Sequence, residues 1–238
     1  MDAIKYMLGG SFRASFRPLN DAIIADRIKG VVGIVGCTNP NTKVDEYTII
    51  LTRELIKRDV LVLKTGCTAL ASAKEGMMTP ETALEKAGKG LREVCEAVGM
   101  PPILHMGSCV DNTRILEAAT EVVFEGGLGD EISQIPAVGV APEWMSEKAV
   151  AIGSYFVASG IDVILGNPFN ISGSENVTRF LNKETRKIFG ASFHDVSDPY
   201  SAVEKIMELL NASRKKLGIT KKLERKLFDM DDRRKIHV

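Results

Sequence analysis

The chain has 238 residues, of which 45% are hydrophobic and 26% charged, with 31 basic side chains against 31 acidic ones. This is an ordinary globular composition, long enough for one large or two small domains, and a formal net charge of zero argues against nucleic acid as a partner. No run approaches the roughly 18 apolar residues needed for a membrane span, residues 1–10 lack the apolar core and cleavage site of a secretory leader, and four cysteines do not resemble a disulfide framework, so a cytoplasmic, reducing setting is expected.

In chain order, residues 1–28 read as a helical or irregular lead-in. Val31–Val35 is a short β-branched run ending in Gly36 and Cys37. Helical periodicity then covers Val44–Arg58, with Tyr47, Ile50, Leu51, Leu55 and Ile56 on one face. Val60–Leu63 is the next strand, followed by Thr65-Gly66-Cys67, and a short helix is expected over Ala69–Glu75. Thr79, Pro80 and Gly99 read as N-cap, first turn and stop of one helix over Pro80–Val98.

Ile103–Met106 is the third strand, ending in Gly107-Ser108-Cys109, with a helix over about Asn112–Phe124 and a glycine-rich loop at Gly126–Asp130. Ala137–Val140, Val163–Leu165 and Phe193–Val196 complete the strands, with helices at Glu143–Ser159 and Pro199–Lys216. A charged tail, about 218–238, is expected to be solvated. Strands alternating with helices imply one α/β domain over 1–238, Rossmann-like, with a mainly parallel sheet covered by helices on both faces.

Cys37, Cys67 and Cys109 share one context: each follows a strand, comes just after Gly or Gly-Ser, and introduces a turn or helix. In an open parallel sheet ligands gather outside the carboxyl ends of the strands, so three cysteines at three such ends can converge although they are far apart in sequence. Glycine beside each allows a tight turn, and a helix start after Cys67 and Cys109 favours the thiolate form that binds metal. A cysteine is often only a small buried hydrophobe, which is the reading for Cys95 on the apolar side of its helix. For the other three, the repeated position weighs against packing alone.

Three soft sulfur donors suit zinc, copper or an iron–sulfur cluster. Closely paired ligands typical of structural zinc are missing, and widely separated cysteines on a rigid sheet better suit a large cluster. Three are too few to close a cubane, so further ligands would come from elsewhere, such as a histidine or another chain. His105 reads as a hydrogen-bonded strand residue, His194 as a weak candidate for a supporting role beside Asp195, and His237 as part of the tail. No GxGxxG follows a strand, so nothing points to a nucleotide.

The blocks "GVVGIVGCTNP", "VLVLKTGCTALASAKEGMM", "ILHMGSCVDNTRI" and "PEWMSEKAVAIG", with "LGGSF" near the start and "GNPFNISGS" after the fifth strand, resemble the C-terminal, cluster-binding domain of anaerobic nickel–iron carbon monoxide dehydrogenase. The resemblance runs from about Leu8 to Leu217. The hybrid-cluster protein family shares the general fold, but "GSCVDN" and "SEKAVAIG" resemble the dehydrogenase side.

The resemblance implies an oxidoreductase that interconverts carbon monoxide plus water with carbon dioxide, two protons and two electrons on a nickel–iron–sulfur cluster, cluster C. By match to the family's motifs, Cys37 and Cys67 bind irons of the cubane part and Cys109 binds nickel. Lys148 hydrogen-bonds the bound carboxylate and assists proton movement, and Ile152 crowds the diatomic ligand. Elementary chemistry agrees in part: paired metals can hold the carbon and activate water, and an ammonium stabilises a developing carboxylate. Lys148 and Ile152, at i and i+4, share a helix face. Without the resemblance, Lys148 reads as a surface lysine paired with Glu143 or Glu147, and Ile152 as helix core.

The family's enzymes are much longer. Their N-terminal portion carries electron-transfer clusters, and their middle portion supplies a histidine and two more cysteines to cluster C. Homodimers are the family's rule. The expectation is an isolated C-terminal domain or truncated product, empty of an intact cluster and inactive without the N-terminal part as partner. The competing readings are a non-catalytic metal-binding or scaffold domain and a fragment of a hybrid-cluster-type reductase.

Overall fold

The computed structural model describes residues 16–167 and 173–221. Residues 1–15, most of the charged tail and His237 lie outside the described residues. The chain order is α1 (Phe16–Ile24), β1 (Gly30–Ile34), α2 (Glu46–Lys57), β2 (Val60–Lys64), α3 (Gly66–Lys74), α4 (Pro80–Lys86), α5 (Lys89–Val98), β3 (Ile103–His105) and α6 (Thr113–Glu125), followed by β4 (Ala137–Ala141), α7 (Glu147–Ala158), β5 (Val163–Leu165), α8 (Glu175–Arg179), α9 (Thr185–Phe189), β6 (Phe193–Asp195) and α10 (Pro199–Lys216).

The strands form one six-stranded sheet in the order β3-β2-β1-β4-β5-β6. All its pairings are parallel, with Val32 opposite Val62 on one side and Val138 on the other. This is the doubly wound order, in which the chain leaves β3 and returns on the far side of β1. The strands are near-continuous apolar runs, VLVLK in β2 and AVGVA in β4, as expected for a sheet buried on both faces. On one face Leu19 and Ile23 of α1, Ile115 of α6 and Phe156 of α7 meet Leu63 and Val138 around a shared apolar space. On the other, α2 packs on β2 and along α10, which also reaches β4. The apolar face read for α2 is largely correct: Tyr47, Leu51, Leu55 and Ile56 are buried, while Ile50 is half-buried.

Three elements differ from the sequence reading. The single helix expected over Pro80–Val98 is two, because Ala87 and Gly88 take extended conformations between α4 and α5. Gly88 docks on the α2–β2 turn: its N–H donates to the Ile56 carbonyl at 2.8 Å, and the Lys57 carbonyl and the Asp59 carboxylate occupy the space a Cβ would take. Arg92 then covers the freed carbonyls, Nε donating to Leu84 O and Nη2 to Glu85 O, each at 2.8 Å. Thr79 precedes α4 as expected, but its hydroxyl donates back to the Gly76 carbonyl instead of capping the helix.

The helix expected from Glu143 starts at Glu147, because Glu143 and Trp144 are drawn into a buried turn. Residues 175–189, not read as helical, form α8 and α9 joined by a π-helical turn at Phe180–Glu184. The lead-in contains α1, and α10 agrees end to end, with Asp198 capping it through the Ser201 N–H at 2.7 Å.

Gly90 in α5 lies so close to the backbone of the α1–β1 connection that a methyl group there would run into the Arg27 carbonyl oxygen. Alanine's better helix propensity is worth only about 1 kcal/mol, whereas overpacking against an unyielding backbone typically costs about 1–3 kcal/mol. Gly90→Ala is therefore expected to lower the free energy of unfolding by about 1–2 kcal/mol, measured by denaturant titration, against the gain that helix propensity alone would give.

Candidate metal centre

Cys37 lies three residues past β1, Cys67 three past β2, and Cys109 four past β3. Since β3, β2 and β1 are neighbours in the parallel sheet, their carboxyl ends share one edge. Cys37 is half-buried, while Cys67 and Cys109 are exposed. Cys37 also leaves the sheet at the β1/β4 boundary, where strand order reverses and a crevice is expected.

The Cys67 and Cys109 segments are fused. Gly66 N–H donates to the Gly107 carbonyl at 3.0 Å. Gly66 adopts φ 56°, and a Cβ there would lie 3.2 Å from the Cys109 Cβ. Any larger residue would be strained both by its backbone and by the neighbouring loop. The Thr65 hydroxyl donates to Asn112 Oδ1, and Asn112 Nδ2 donates to the Cys109 carbonyl at 2.9 Å. Asp111 closes the Cys109 turn from below. Its carboxylate accepts from the Ser108 amide at 2.8 Å and hydroxyl at 2.9 Å, and these bonds hold its pKa below the usual carboxylate range.

Cys67 sits in the first turn of α3, which starts at Gly66, three residues before the start expected from sequence. Cys109 precedes the Asn112 N-cap of α6 and lies in the turn, not in the helix. Among the described residues no three His, Cys, Asp or Glu side chains are grouped closely enough to hold a single metal ion. What the strands bring to one edge is three cysteine-bearing turns, those of Cys37, Cys67 and Cys109.

The Cys37 loop is held by charge. Asp45, which precedes α2, is buried and left-handed at φ 63°. Its Oδ1 accepts from the Thr38 hydroxyl at 3.0 Å, its Oδ2 pairs with Lys74 Nζ, and its amide donates to Glu143 Oε2 at 3.1 Å. Asn39 Nδ2 donates to the Trp144 carbonyl at 3.3 Å. Burial raises the pKa of Glu143, opposed by the backbone amides of Asp45, Asn39 and Thr48.

Lys148 begins the helix that follows β4. It is exposed, with no ion pair to Glu143 or Glu147 among the described residues, so the surface pairing that the residues alone suggested is not formed. Ile152, one turn on, is half-buried and packs on the core. Cys95 is 1% exposed, and burial drives its thiol pKa upward, as read from sequence. His194 pairs at 2.9 Å with Asp162 at the start of β5, not with Asp195, which accepts from Asn182.

One residue of this region escaped the sequence reading. Lys64 ends the otherwise apolar strand β2 and is fully buried, with Nζ donating to the Thr68 carbonyl at 3.0 Å and the Ser72 hydroxyl at 2.7 Å. Burial lowers its pKa to about 7, against the opposing pull of Asp45 and Glu143. The signal was a lone lysine in VLVLK directly before Thr65-Gly66-Cys67.

The profile of the Prismane/CO dehydrogenase family matches residues 3–200, and the chain belongs to that family. It is similar to carbon monoxide dehydrogenase 1 of Methanosarcina acetivorans, 47% identical over 218 residues, covering 92% of this chain and 34% of that one. Among solved structures it resembles carbon monoxide dehydrogenase from Thermococcus sp. AM4, crystallised in a Ni-free form, with TM-score 0.81, 49% identity, and coverage of 84% of this chain and 31% of that one. It also resembles carbon monoxide dehydrogenase IV from Carboxydothermus hydrogenoformans, with TM-score 0.83, 40% identity, and coverage of 90% and 35%. The chain spans about a third of the length of these relatives. Among the described residues no helix is long and apolar enough to cross a membrane.

Lys64 gives this edge a pH signature. Between about pH 7, its buried value, and 10.5, its ordinary one, the unfolded chain keeps a proton that the folded chain has released. Raising pH through that window therefore favours the fold, and below it the full desolvation cost remains. Denaturant unfolding at a series of pH values is expected to give a stability gain of up to about 1.4 kcal/mol per pH unit that Lys64→Met lacks. Parallel profiles for the two proteins would contradict this.

Proposed function

We propose that the chain is the C-terminal, cluster-bearing portion of an anaerobic nickel–iron–sulfur carbon monoxide dehydrogenase, contributing Cys37, Cys67 and Cys109 to the cluster at which carbon monoxide and water are interconverted with carbon dioxide, protons and electrons. The observation carrying this reading is the arrival of three cysteines at the carboxyl ends of three adjacent parallel strands, beside the start of the Lys148 helix. Family membership and relatives named carbon monoxide dehydrogenase support it, as does a relative whose structure is described as Ni-free.

The donor set fits the group. Thiolates are soft ligands suited to nickel and iron in sulfide clusters, and Cys67 and Cys109 are exposed at this edge. When bound, such a cluster supplies paired metals for the carbon and for water. In this reading Cys37 and Cys67 hold iron and Cys109 holds nickel. Lys148 offers an unpaired ammonium to the carboxylate that develops on the substrate, and Ile152 shapes the apolar side of the pocket. The remaining ligands belong to the family's N-terminal and middle portions. The partners in this reading are those portions and a second copy in a homodimer.

Three measurements test it. Joined to the N-terminal two-thirds of a family enzyme, Cys109→Ser is expected to lose nickel, read by metal analysis, while the protein still folds; retained nickel with full turnover would remove the assignment. Lys148→Ala in that assembly should keep its metals and lose about two to three orders of magnitude in rate. The purified chain alone should show no steady carbon monoxide oxidation, and turnover with nickel and iron at cluster stoichiometry would contradict this.

A further inference from the structure

We propose that Asp45 is a positioning residue: its carboxylate and amide lock the Cys37 loop to the Cys67 helix and to the segment leading into the Lys148 helix, setting the spacing of these parts before any cluster is present. This rests on the proposed ligand roles of Cys37 and Cys67, although the locking itself is independent of them.

Three contacts of Asp45 join its own loop to two other segments, the helix that carries Cys67 and the turn before the Lys148 helix. Through Oδ1 it holds Thr38, the residue after Cys37. Through Oδ2 it holds Lys74, the last residue of α3, whose first turn carries Cys67. Through its amide it holds Glu143, in the turn between β4 and α7. The Asn39–Trp144 hydrogen bond runs beside the third contact. Buried Lys64 lies under the same two carboxylates, whose charges both act on it.

The conformation of Asp45 agrees with this role. A non-glycine residue at positive φ persists where its surroundings over-determine it. Among the described residues Asp26, Asp45 and Asp59 have this conformation. Asp26 pairs with Lys29 and Arg214, and Asp59 accepts from the Leu91 amide at 2.8 Å; both lie at the opposite end of the sheet, before β1 and β2. Only Asp45 of these three stands at the edge that carries the cysteines. Its bonds are also long-range, joining residue 45 to residues 74 and 143, so they fix tertiary spacing and not merely a local turn.

The test uses the full 238-residue chain, free of metal, with Cys95→Ala and Cys109→Ser so that nitroxide labels attach at Cys37 and Cys67. Dipolar broadening of the continuous-wave EPR spectrum reports the label separation. The parent is expected to show one defined separation. Asp45→Ala should lose that definition, and Asp45→Asn, which keeps an acceptor for Thr38 but loses the charge opposite Lys74, should fall between them. Lys74→Met removes the ion pair from the exposed side and should reproduce the effect of Asp45→Asn. Asp59→Ala is the control: it should lower Tm without changing the separation.

If Asp45→Ala and Lys74→Met lower Tm but leave the broadening intact, the residue is merely structural and the proposal fails. If the broadening changes as expected while Cys37→Ser and Cys67→Ser leave the metal content of the assembled enzyme unchanged, the ligand reading fails and the positioning role of Asp45 stands.

Discussion

Parallel pairing of β1 between β2 and β4 is the constraint on which the rest of the molecule depends. Strands that all run one way deliver their carboxyl ends to one edge, and each connection must cross the sheet and return as a helix. The three cysteine-bearing turns therefore lie side by side for a reason that has nothing to do with metal. They follow three strands whose hydrogen-bonded registers, Gly30 to Val60 and Val62 to Ile103, leave no other place for them. The apolar runs that bury both faces supply the free energy, and a dense set of buried polar groups gathers at the rim that carries the cysteines.

That rim is made of hydrogen bonds and charges instead of packing. Its buried groups include Asp45, Lys64, Thr65, Thr68, Asn112 and Glu143, a concentration of polarity that costs stability unless each group is answered. Most are. Lys64 donates to Thr68 and Ser72, Thr65 to Asn112, and Asp45 gathers Thr38, Lys74 and Glu143. Glu143 Oε1 has no hydrogen-bond partner among the described residues, and burial raises the pKa of that carboxyl. Rigidity at the edge is obtained at some cost in stability, the usual trade where loops must hold a fixed geometry.

The sheet was legible because its signals are local. Short apolar runs mark β1 to β5, and the Pro199 start with Asp198 before it marks α10. The cysteine pattern was legible once three strand ends were compared. The parts that escaped depend on contacts between distant residues. Gly88 breaks a helix because the Lys57 carbonyl and Asp59 are there to receive it, which no pattern within residues 80–98 reveals. Glu143 looked like the opening of a helix, yet Asp45, far away in sequence, claims it. Lys64 lies just past the strand read at Val60–Leu63, and α3, which receives its Nζ at Thr68 and Ser72, is what buries it.

The three cysteines do not form three equivalent arms. Cys67 and Cys109 belong to one body, since Gly66 leaves room for the Cys109 backbone and Thr65 is bonded to Asn112. Cys37 stands on a separate loop, tied across by Asp45. The edge thus works like a vice with one fixed jaw and one adjustable jaw. A change at Thr38 or Asp45 acts on the Cys37 loop without touching the bonds that join the Cys67 and Cys109 segments. The edge is thus built of two parts, and substitutions in one can alter their relative spacing while leaving the other part's own bonds in place.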